Sequence, residues 1–239
     1  MNIKSYAGNI FKSWIEEDIE KVLNLIETKK GSLLLDAGCG NGKLTKLFLK
    51  KTKGNAIGIE GLLVRIKGIK VIKANINNKL PFLDETFDVV VSHYSLEHLY
   101  NSGEFIYESY RILKKGGYVV VATDNLASWP NIISMILGFQ PFSTTMGVGK
   151  AALGNPFALR ANIGDLGQSK LSKQSSRSGE FSHNKVMAYQ MLMDSYKEYN
   201  FKIEKVVGVG YFPFYGFLSR LFCKIDKRHS HLLIMKARK

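Results

Sequence analysis

An acid and three glycines between Leu33 and Gly42 have the types and the spacing to bind a ligand. They stand in the order Asp36, Gly38, Gly40 and Gly42. Three consecutive leucines before them predict a strand buried on both faces, and apolar residues at helical spacing after them predict a helix. Glycines let the backbone approach a ligand closely, and the start of a helix directs free N–H groups at the same point. Because a carboxylate at the strand end would repel a pyrophosphate, the pattern favours a ligand that carries positive charge.

Other polar residues follow the next strands that the hydrophobic pattern predicts. The second strand ends at Glu60, before Gly61, and a carboxylate there can accept hydrogen bonds from both hydroxyls of a ribose. The third predicted strand is followed by Asn75 and Ile76, and the fourth ends at Ser92 and His93. Open α/β sheets bind ligands beyond the carboxyl ends of their strands, so all these residues are expected at one edge of the sheet.

These segments occur in an order that is typical of a known family. The glycine loop is followed by the acid of the second strand, Leu80-Pro81-Phe82, Leu96-Glu97-His98-Leu99 and the turn Lys115-Gly116-Gly117. Across residues 31–123 the chain thereby resembles the class I S-adenosylmethionine (SAM) methyltransferases, in the broad group that includes the ubiquinone and menaquinone methyltransferases. Two positions depart from the family pattern: Asn75 stands where an Asp is usual, and Lys115 replaces a proline.

The resemblance implies an α/β fold with a Rossmann-like, seven-stranded, mostly parallel sheet flanked by helices and ending in a C-terminal antiparallel hairpin. A single methyltransferase domain is expected over residues 31–239, with a substrate-side loop or insertion at about 139–182. Residues 1–30 are predicted to form a helical segment, in which Ser13 begins a capping box.

The resemblance also implies the cofactor SAM, with S-adenosylhomocysteine as product. Asp36 is expected at the methionine end of the cofactor, Glu60 at the ribose and Asn75 at the adenine, while Ser92 and His93 border the methyl group. The full set of residues implied to bind the cofactor is Asp36, Gly38, Cys39, Gly40, Glu60, Gly61, Asn75, Ile76, Ser92 and His93.

Two histidines are candidates for catalysis, His93 and His183. His183 is expected to open a helix, and in related methyltransferases a histidine just before this helix often faces the substrate. A neutral imidazole there could take a proton from an attacking hydroxyl or amine near neutral pH. A histidine that only contacts the helix start or lies on the surface explains the sequence equally well.

Composition sets the expectations for compartment and partners. Lys and Arg number 34 against 20 Asp and Glu, a net charge of +14 that favours RNA or an anionic membrane surface, although a solvated lysine-rich surface is the simpler explanation. The chain has no run of eighteen apolar residues, its first residues lack the apolar core of a signal peptide, and two cysteines suggest neither a disulfide framework nor a metal cluster. A cytoplasmic enzyme is therefore expected.

The methyl acceptor is expected to be a small or lipid-like molecule. The aromatic segment from Tyr211 to Leu218 is consistent with a roof over an apolar pocket, a partner contact, a peripheral membrane face or core packing. An RNA methyltransferase and a non-catalytic SAM-binding protein are the alternatives. The glycine spacing disfavours a nucleotide-dependent oxidoreductase, and the residues after the fourth strand lack the Pro-Pro-aromatic element of exocyclic-amine base methyltransferases.

Overall fold

A seven-stranded sheet forms the centre of the protein in the computed structural model. The structure describes residues 3–61, 65–144, 146–148, 151–156 and 183–239, and only the backbone of residues 3–12, 146–148 and 151–153. The strands of the seven-stranded sheet are β1 (Leu33–Ala37), β2 (Asn55–Glu60), β3 (Lys70–Lys73), β4 (Phe87–His93), β5 (Leu113–Asp124), β8 (Lys202–Val209) and β9 (Leu232–Arg238). The strands β6 (Met146–Val148) and β7 (Ala151–Leu153) form a separate two-stranded sheet.

The order of the strands in the sheet is β3-β2-β1-β4-β5-β9-β8. The first five strands are parallel to one another, and β9 is antiparallel to both of its neighbours. The predicted seven-stranded, mostly parallel sheet with an antiparallel C-terminal pair is therefore confirmed. A helix separates the last two strands along the chain, so the pair is not joined by a tight hairpin turn.

Six α-helices are found among the described residues. They are α1 (Ile3–Leu25), α2 (Lys43–Thr52), α3 (Ser102–Ile112), α4 (Trp129–Ile136), α5 (Tyr189–Glu198) and α6 (Gly216–Ile225). None of the helices in the described ranges is both long enough and apolar enough to cross a membrane.

The core lies in two layers, one on each face of the sheet. Val90 belongs to one layer, whereas Val89 and Val91 belong to the other, as the two-residue period of a strand requires. Leu34 and Leu35 of β1 divide in the same way and are both fully buried, which stabilises the fold by about 1.5–3 kcal/mol per side chain. Both faces of the sheet are therefore covered by core residues, so a ligand site is expected at the carboxyl ends of the parallel strands.

The predicted start of the first helix is wrong. Helix α1 begins at Ile3, ten residues before Ser13, because residues 3–12 contain no proline and only one glycine to interrupt the helix ahead of the cap motif. Trp14 and Val22 of this helix are buried against the sheet, whereas Ile15 is exposed.

The prediction that His183 opens a helix is also wrong, because α5 begins at Tyr189. Met187 pairs with Asn125 in an isolated parallel bridge, and its carbonyl accepts from Leu126 N at 3.2 Å, which holds this segment extended instead. The insertion expected at about 139–182 is described only in its first part, and residues 157–182 of it lie outside the described residues.

Candidate functional site

The glycine loop after β1 is packed against the protein at one glycine and open at the next. Gly38 N donates to the carbonyl of Ile59 at 2.9 Å, which ties the loop to β2. Gly38 has φ +82°, and a Cβ there would lie 2.1 Å from Ser95 Oγ, so a larger residue does not fit. Gly40 has φ +49°, and a Cβ there would meet no atom of the described residues within 4 Å. The loop therefore presents its backbone to open space at Gly40.

Glu60 connects this loop to the end of β2. Its Oε2 accepts from Gly40 N and its Oε1 accepts from Gly61 N, both at 2.9 Å. A Cβ on Gly61 would also meet no atom of the described residues within 4 Å. Each carboxylate oxygen has a further lone pair, so the side chain is held in place with acceptor capacity for two hydroxyl groups.

Asp36 is a buried carboxylate beside the loop. Its Oδ2 accepts from Thr45 Oγ1 of α2 at 2.6 Å, and the residue is 3% exposed. Burial is the main cause that raises the pKa of Asp36 to about 6; the charge of Glu60 acts in the same direction, whereas the Thr45 hydrogen bond and the charge of His93 act against it. A cationic group bound nearby would favour the ionised form.

Cys39 is buried in the loop and contributes packing. A Cβ on Gly58 of β2 would lie 2.6 Å from the Cys39 sulfur, so the two residues fit only because Gly58 lacks a side chain. Burial raises the pKa of the Cys39 thiol to about 12. The thiol is therefore neutral and unsuited to act as a nucleophile at neutral pH.

Asn75 and Ile76 lie beyond the end of β3. Asn75 is exposed, and its Oδ1 accepts from the backbone N of Asn77 at 2.9 Å and from the Asn77 amide at 3.0 Å. Ile76 is partly buried and packs against the core. Both lone pairs of the Asn75 oxygen are used in this turn, so accepting a hydrogen bond from an adenine requires the turn to open.

Ser92 and His93 end β4, and the N-terminal helix reaches one of them. His93 Nε2 lies 2.6 Å from Asp18 Oδ2 of α1, and Asp18 is fully buried. Burial lowers the pKa of His93, but the hydrogen bond and charge of Asp18 outweigh it, so the pKa is raised overall. Ser92 is also fully buried, and its hydroxyl has no hydrogen-bond partner among the described residues.

A second group of polar residues lies beyond β4 and β5. His183 Nδ1 is 3.1 Å from Asp124 Oδ2 at the end of β5 and also bonds to the carbonyl of Ser143. Glu97, in the short 3₁₀ turn Leu96–His98, is fully buried and accepts from Thr123 Oγ1 at 2.9 Å. We call Glu97, His98, Asp124 and His183 the histidine–carboxylate cluster.

The charges of this cluster affect one another. Burial lowers the pKa of His183, but the hydrogen bond and charge of Asp124 outweigh it and raise the pKa to about 9. Burial, together with the negative charge of the nearby Asp124, raises the pKa of Glu97 to about 7. The imidazole of His183 therefore holds its proton at neutral pH, and a general base at this position must first lose that proton.

The structure thus divides the predicted site residues into two groups. Asp36, the glycine loop, Glu60 and Gly61 lie together, with His93 near Asp36, whereas His183 lies in the cluster beyond β4 and β5. Sequence reasoning missed Asp18 and Asp124. Asp18 was detectable as an acid four residues from both Trp14 and Val22, and hence on the same helix face as these apolar residues, but Asp124 gave no local signal.

Residues 35–121 match the family model described as a methyltransferase domain. An uncharacterized methyltransferase of Schizosaccharomyces pombe is 37% identical over 118 residues, which cover 42% of this chain and 42% of that protein. The mitochondrial ubiquinone biosynthesis O-methyltransferase of Rattus norvegicus is 28% identical over 154 residues, 59% of this chain and 43% of that one. A crystal structure of an S-adenosylmethionine-dependent methyltransferase from Mesorhizobium loti is 15% identical with a TM-score of 0.59, over 92% of this chain and 96% of the other.

The family match places a methyltransferase domain at residues 35–121, and the chain shares its fold with S-adenosylmethionine-dependent methyltransferases. Both findings support the predicted enzyme class and cofactor. The chain spans less than half the length of the two curated relatives, 42% and 43%.

Proposed function

We propose that this protein transfers the methyl group of SAM to an oxygen, nitrogen or carbon nucleophile of a small or lipid-like acceptor. The observation that carries the proposal is the open backbone at Gly40 and Gly61, bridged by the carboxylate of Glu60. A side chain at either glycine would extend into this space, and the bridging carboxylate retains acceptor capacity for a pair of hydroxyls. Both features suit a nucleoside.

Each part of the cofactor has a group suited to it. Glu60 would accept from the ribose hydroxyls, and the negative charge of Asp36 would favour the methionine ammonium. Ser92, buried without a partner among the described residues, has a hydroxyl that a bound group could satisfy. Asn75 and Ile76 would flank the adenine once the turn at Asn77 opens.

The bound cofactor supplies a methyl group that its positively charged sulfur already activates. The protein therefore needs no covalent nucleophile, and its residues hold the acceptor in line with the methyl group and exclude water. Positioning of this kind can supply roughly 7–11 kcal/mol of the barrier. His93 and His183 are the residues proposed to border the reacting atoms.

The surface around the site supports a lipid-like acceptor. Helices α4 and α6 begin beyond the ends of β5 and β8, and Trp129 Nε1 donates to Tyr211 Oη at 2.7 Å, which joins the start of α4 to the segment before α6. Ile136 is 77% exposed and Phe217 is 76% exposed, so both helices present large apolar side chains to solvent. A relative named for ubiquinone biosynthesis adds support for placing this chain in the ubiquinone- and menaquinone-like group.

RNA is the second candidate acceptor, because the net charge of +14 favours a polyanion. The two acceptors differ in the expected response to salt. RNA binding should weaken steeply as salt is raised, whereas apolar contacts with a lipid-like acceptor should not.

Calorimetric titration with S-adenosylhomocysteine tests the cofactor site. We expect micromolar binding to the wild type and at least about tenfold weaker binding, ~1.4 kcal/mol, to Glu60→Gln. The amide of the variant places an NH₂ group against one of the two backbone donors and loses the negative charge. The exposed Glu16 provides a matched control, and Glu16→Gln should bind like the wild type.

The acceptor is then tested with radiolabelled SAM against a lipid extract and against total RNA. Methylation of the lipid fraction supports the proposal, and methylation of RNA alone refutes the lipid-like acceptor. Failure of the wild type to bind S-adenosylhomocysteine would contradict the proposed function as a whole. Binding without transfer to any acceptor would indicate a non-catalytic SAM-binding protein.

A further inference from the structure

Two histidines and a carboxylate approach one another in the histidine–carboxylate cluster. One ligand atom each of Glu97, His98 and His183 lies within 4.8 Å of the others. From this arrangement and the contacts around it we propose that the three residues bind one divalent transition-metal ion of the Zn²⁺ class. The proposed ion would lie beyond β4 and β5, apart from the glycine loop, and its binding does not depend on the proposed function.

Glu97 has a buried oxygen that a cation would satisfy. The residue is fully buried, and its Oε2 accepts from Thr123 Oγ1 at 2.9 Å. Its Oε1 is buried too and has no hydrogen-bond partner among the described residues. A buried carboxylate oxygen without a partner is costly, and metal coordination is one of the few ways to offset that cost.

His183 is oriented as a metal-binding histidine would be. Its Nδ1 is directed at Asp124 Oδ2, 3.1 Å away, and at the carbonyl of Ser143. Donation from Nδ1 leaves Nε2 as the ring atom that can bind a metal. Histidines that bind metals almost always donate their other ring N–H to a carboxylate or a carbonyl, and His183 contacts one of each.

The two segments that carry the three ligands are fixed to each other by hydrogen bonds. The backbone N–H groups of Asn184 and Lys185 both donate to the carbonyl of Glu97, at 2.7 and 3.0 Å. The Asn184 amide donates to the carbonyl of His98 at 2.8 Å. The rings of His98 and His183 meet edge to face, with their centroids 4.8 Å apart. The ligands are therefore held close together before any ion binds.

The ligand set indicates which metal would bind. Two imidazoles and one carboxylate are typical of Zn²⁺ and Fe²⁺ sites, whereas Mg²⁺ prefers oxygen ligands alone. Zn²⁺ bonds of about 2.0–2.2 Å place neighbouring ligand atoms roughly 3.4 Å apart. The most widely separated ligand atoms, which lie within 4.8 Å of each other, would therefore move closer by about 1 Å or more when the ion binds. Three protein ligands leave a fourth position for water or for an acceptor oxygen, and His183 is partly exposed.

The test uses the full chain without a histidine tag, stripped of metal with a chelator and titrated with Zn²⁺ against a chromophoric competitor. We expect one Zn²⁺ per chain at micromolar affinity or tighter. His98→Gln and His183→Gln should each weaken binding about 100-fold, and Asp124→Asn by about 10–100-fold, because it removes the group that orients His183. Co²⁺ should give a visible absorption band in the wild type that the ligand variants lose.

His229→Gln is the matched control, since His229 bonds to Asp226 on a separate turn. It should bind Zn²⁺ like the wild type. Circular dichroism checks that each variant folds. If His183→Gln does not fold, His98→Gln provides the test of the ligand set. No Zn²⁺ or Co²⁺ binding by the wild type would refute the proposal and leave the cluster as a hydrogen-bonded ion pair. Unchanged affinity in both folded histidine variants would refute it as well. Titration of the same samples with S-adenosylhomocysteine separates either result from the outcome for the proposed function.

Discussion

Substitution of Gly40 by alanine should have two effects that can be measured separately: backbone strain that lowers stability, and a methyl group in the proposed cofactor site that weakens binding. Gly40 has φ +49°, and a residue with a Cβ in this left-handed region costs about 1–2 kcal/mol. For a domain of this size, that cost lowers the Tm by roughly 2–8 °C. The new methyl group would meet no atom within 4 Å in the part of the chain that the structure describes, so the rest of its effect depends on what enters this space. Gly40 N also donates to Glu60 at 2.9 Å, so the loop cannot move aside without breaking that bond.

Gly31 offers a control at the other end of β1, a five-residue strand of roughly 16 Å. It has φ +78°, and a Cβ there would also meet nothing within 4 Å among the residues described. Gly31→Ala should therefore lose similar stability, by differential scanning fluorimetry, yet bind S-adenosylhomocysteine normally by calorimetry. Gly40→Ala should bind it at least about tenfold more weakly, a loss of ~1.4 kcal/mol. Equal affinities for the two variants would refute the assignment of this space to the cofactor.

Three further predictions concern buried charges. Burial raises the pKa of Asp36 from 3.8 to about 6, so the folded protein binds more protons than the unfolded chain between these values. The free energy of unfolding of the ligand-free wild type, relative to Asp36→Asn, should therefore fall by up to about 3 kcal/mol as the pH rises from about 4 to above 6, by urea denaturation. Arg111→Ala should cost about 3 kcal/mol or more, because Glu108, whose side chain is 1% exposed, would be left as a buried unpaired charge. Asp18→Asn should lower the pKa of His93, measured by NMR, because it removes the carboxylate that raises that pKa.

Each of these predictions has a control or a contradicting result. A difference between wild type and Asp36→Asn that stays constant with pH would show that Asp36 does not titrate as expected. Arg220→Ala should cost less than about 1 kcal/mol, because its side chain is 60% exposed and lies 3.9 Å from Glu17, so equal losses at the two arginines would contradict the burial argument. The pairing with Asp18 makes His93 contribute to the free energy of unfolding below pH 6.5, and this contribution is lost as the pH rises through the raised pKa of His93. The free energy of unfolding of Asp18→Asn should not show this loss with pH.

Some features of the fold and the site were predictable because their causes are local. The glycine loop, the acid of β2 and the succession of strands along the chain follow from residue types and short spacings between Leu33 and Asp124. The starts of α1 and α5 were not predictable in this way. The cap motif at Ser13 competes with helix-compatible residues before it, and Met187 is held extended by Asn125, a residue 62 positions away.

The sequence alone predicted the class of protein and the position of the proposed cofactor loop, because a strand, an acid, spaced glycines and a helix are a contiguous pattern. Only the tertiary structure decided which charges meet. Asp18 reaches His93 across 75 positions, and His183 meets Glu97, His98 and Asp124 because its segment bonds to the turn after β4. Pairings of this kind leave no local pattern, since each residue is an ordinary polar side chain until the sheet brings the strand ends together.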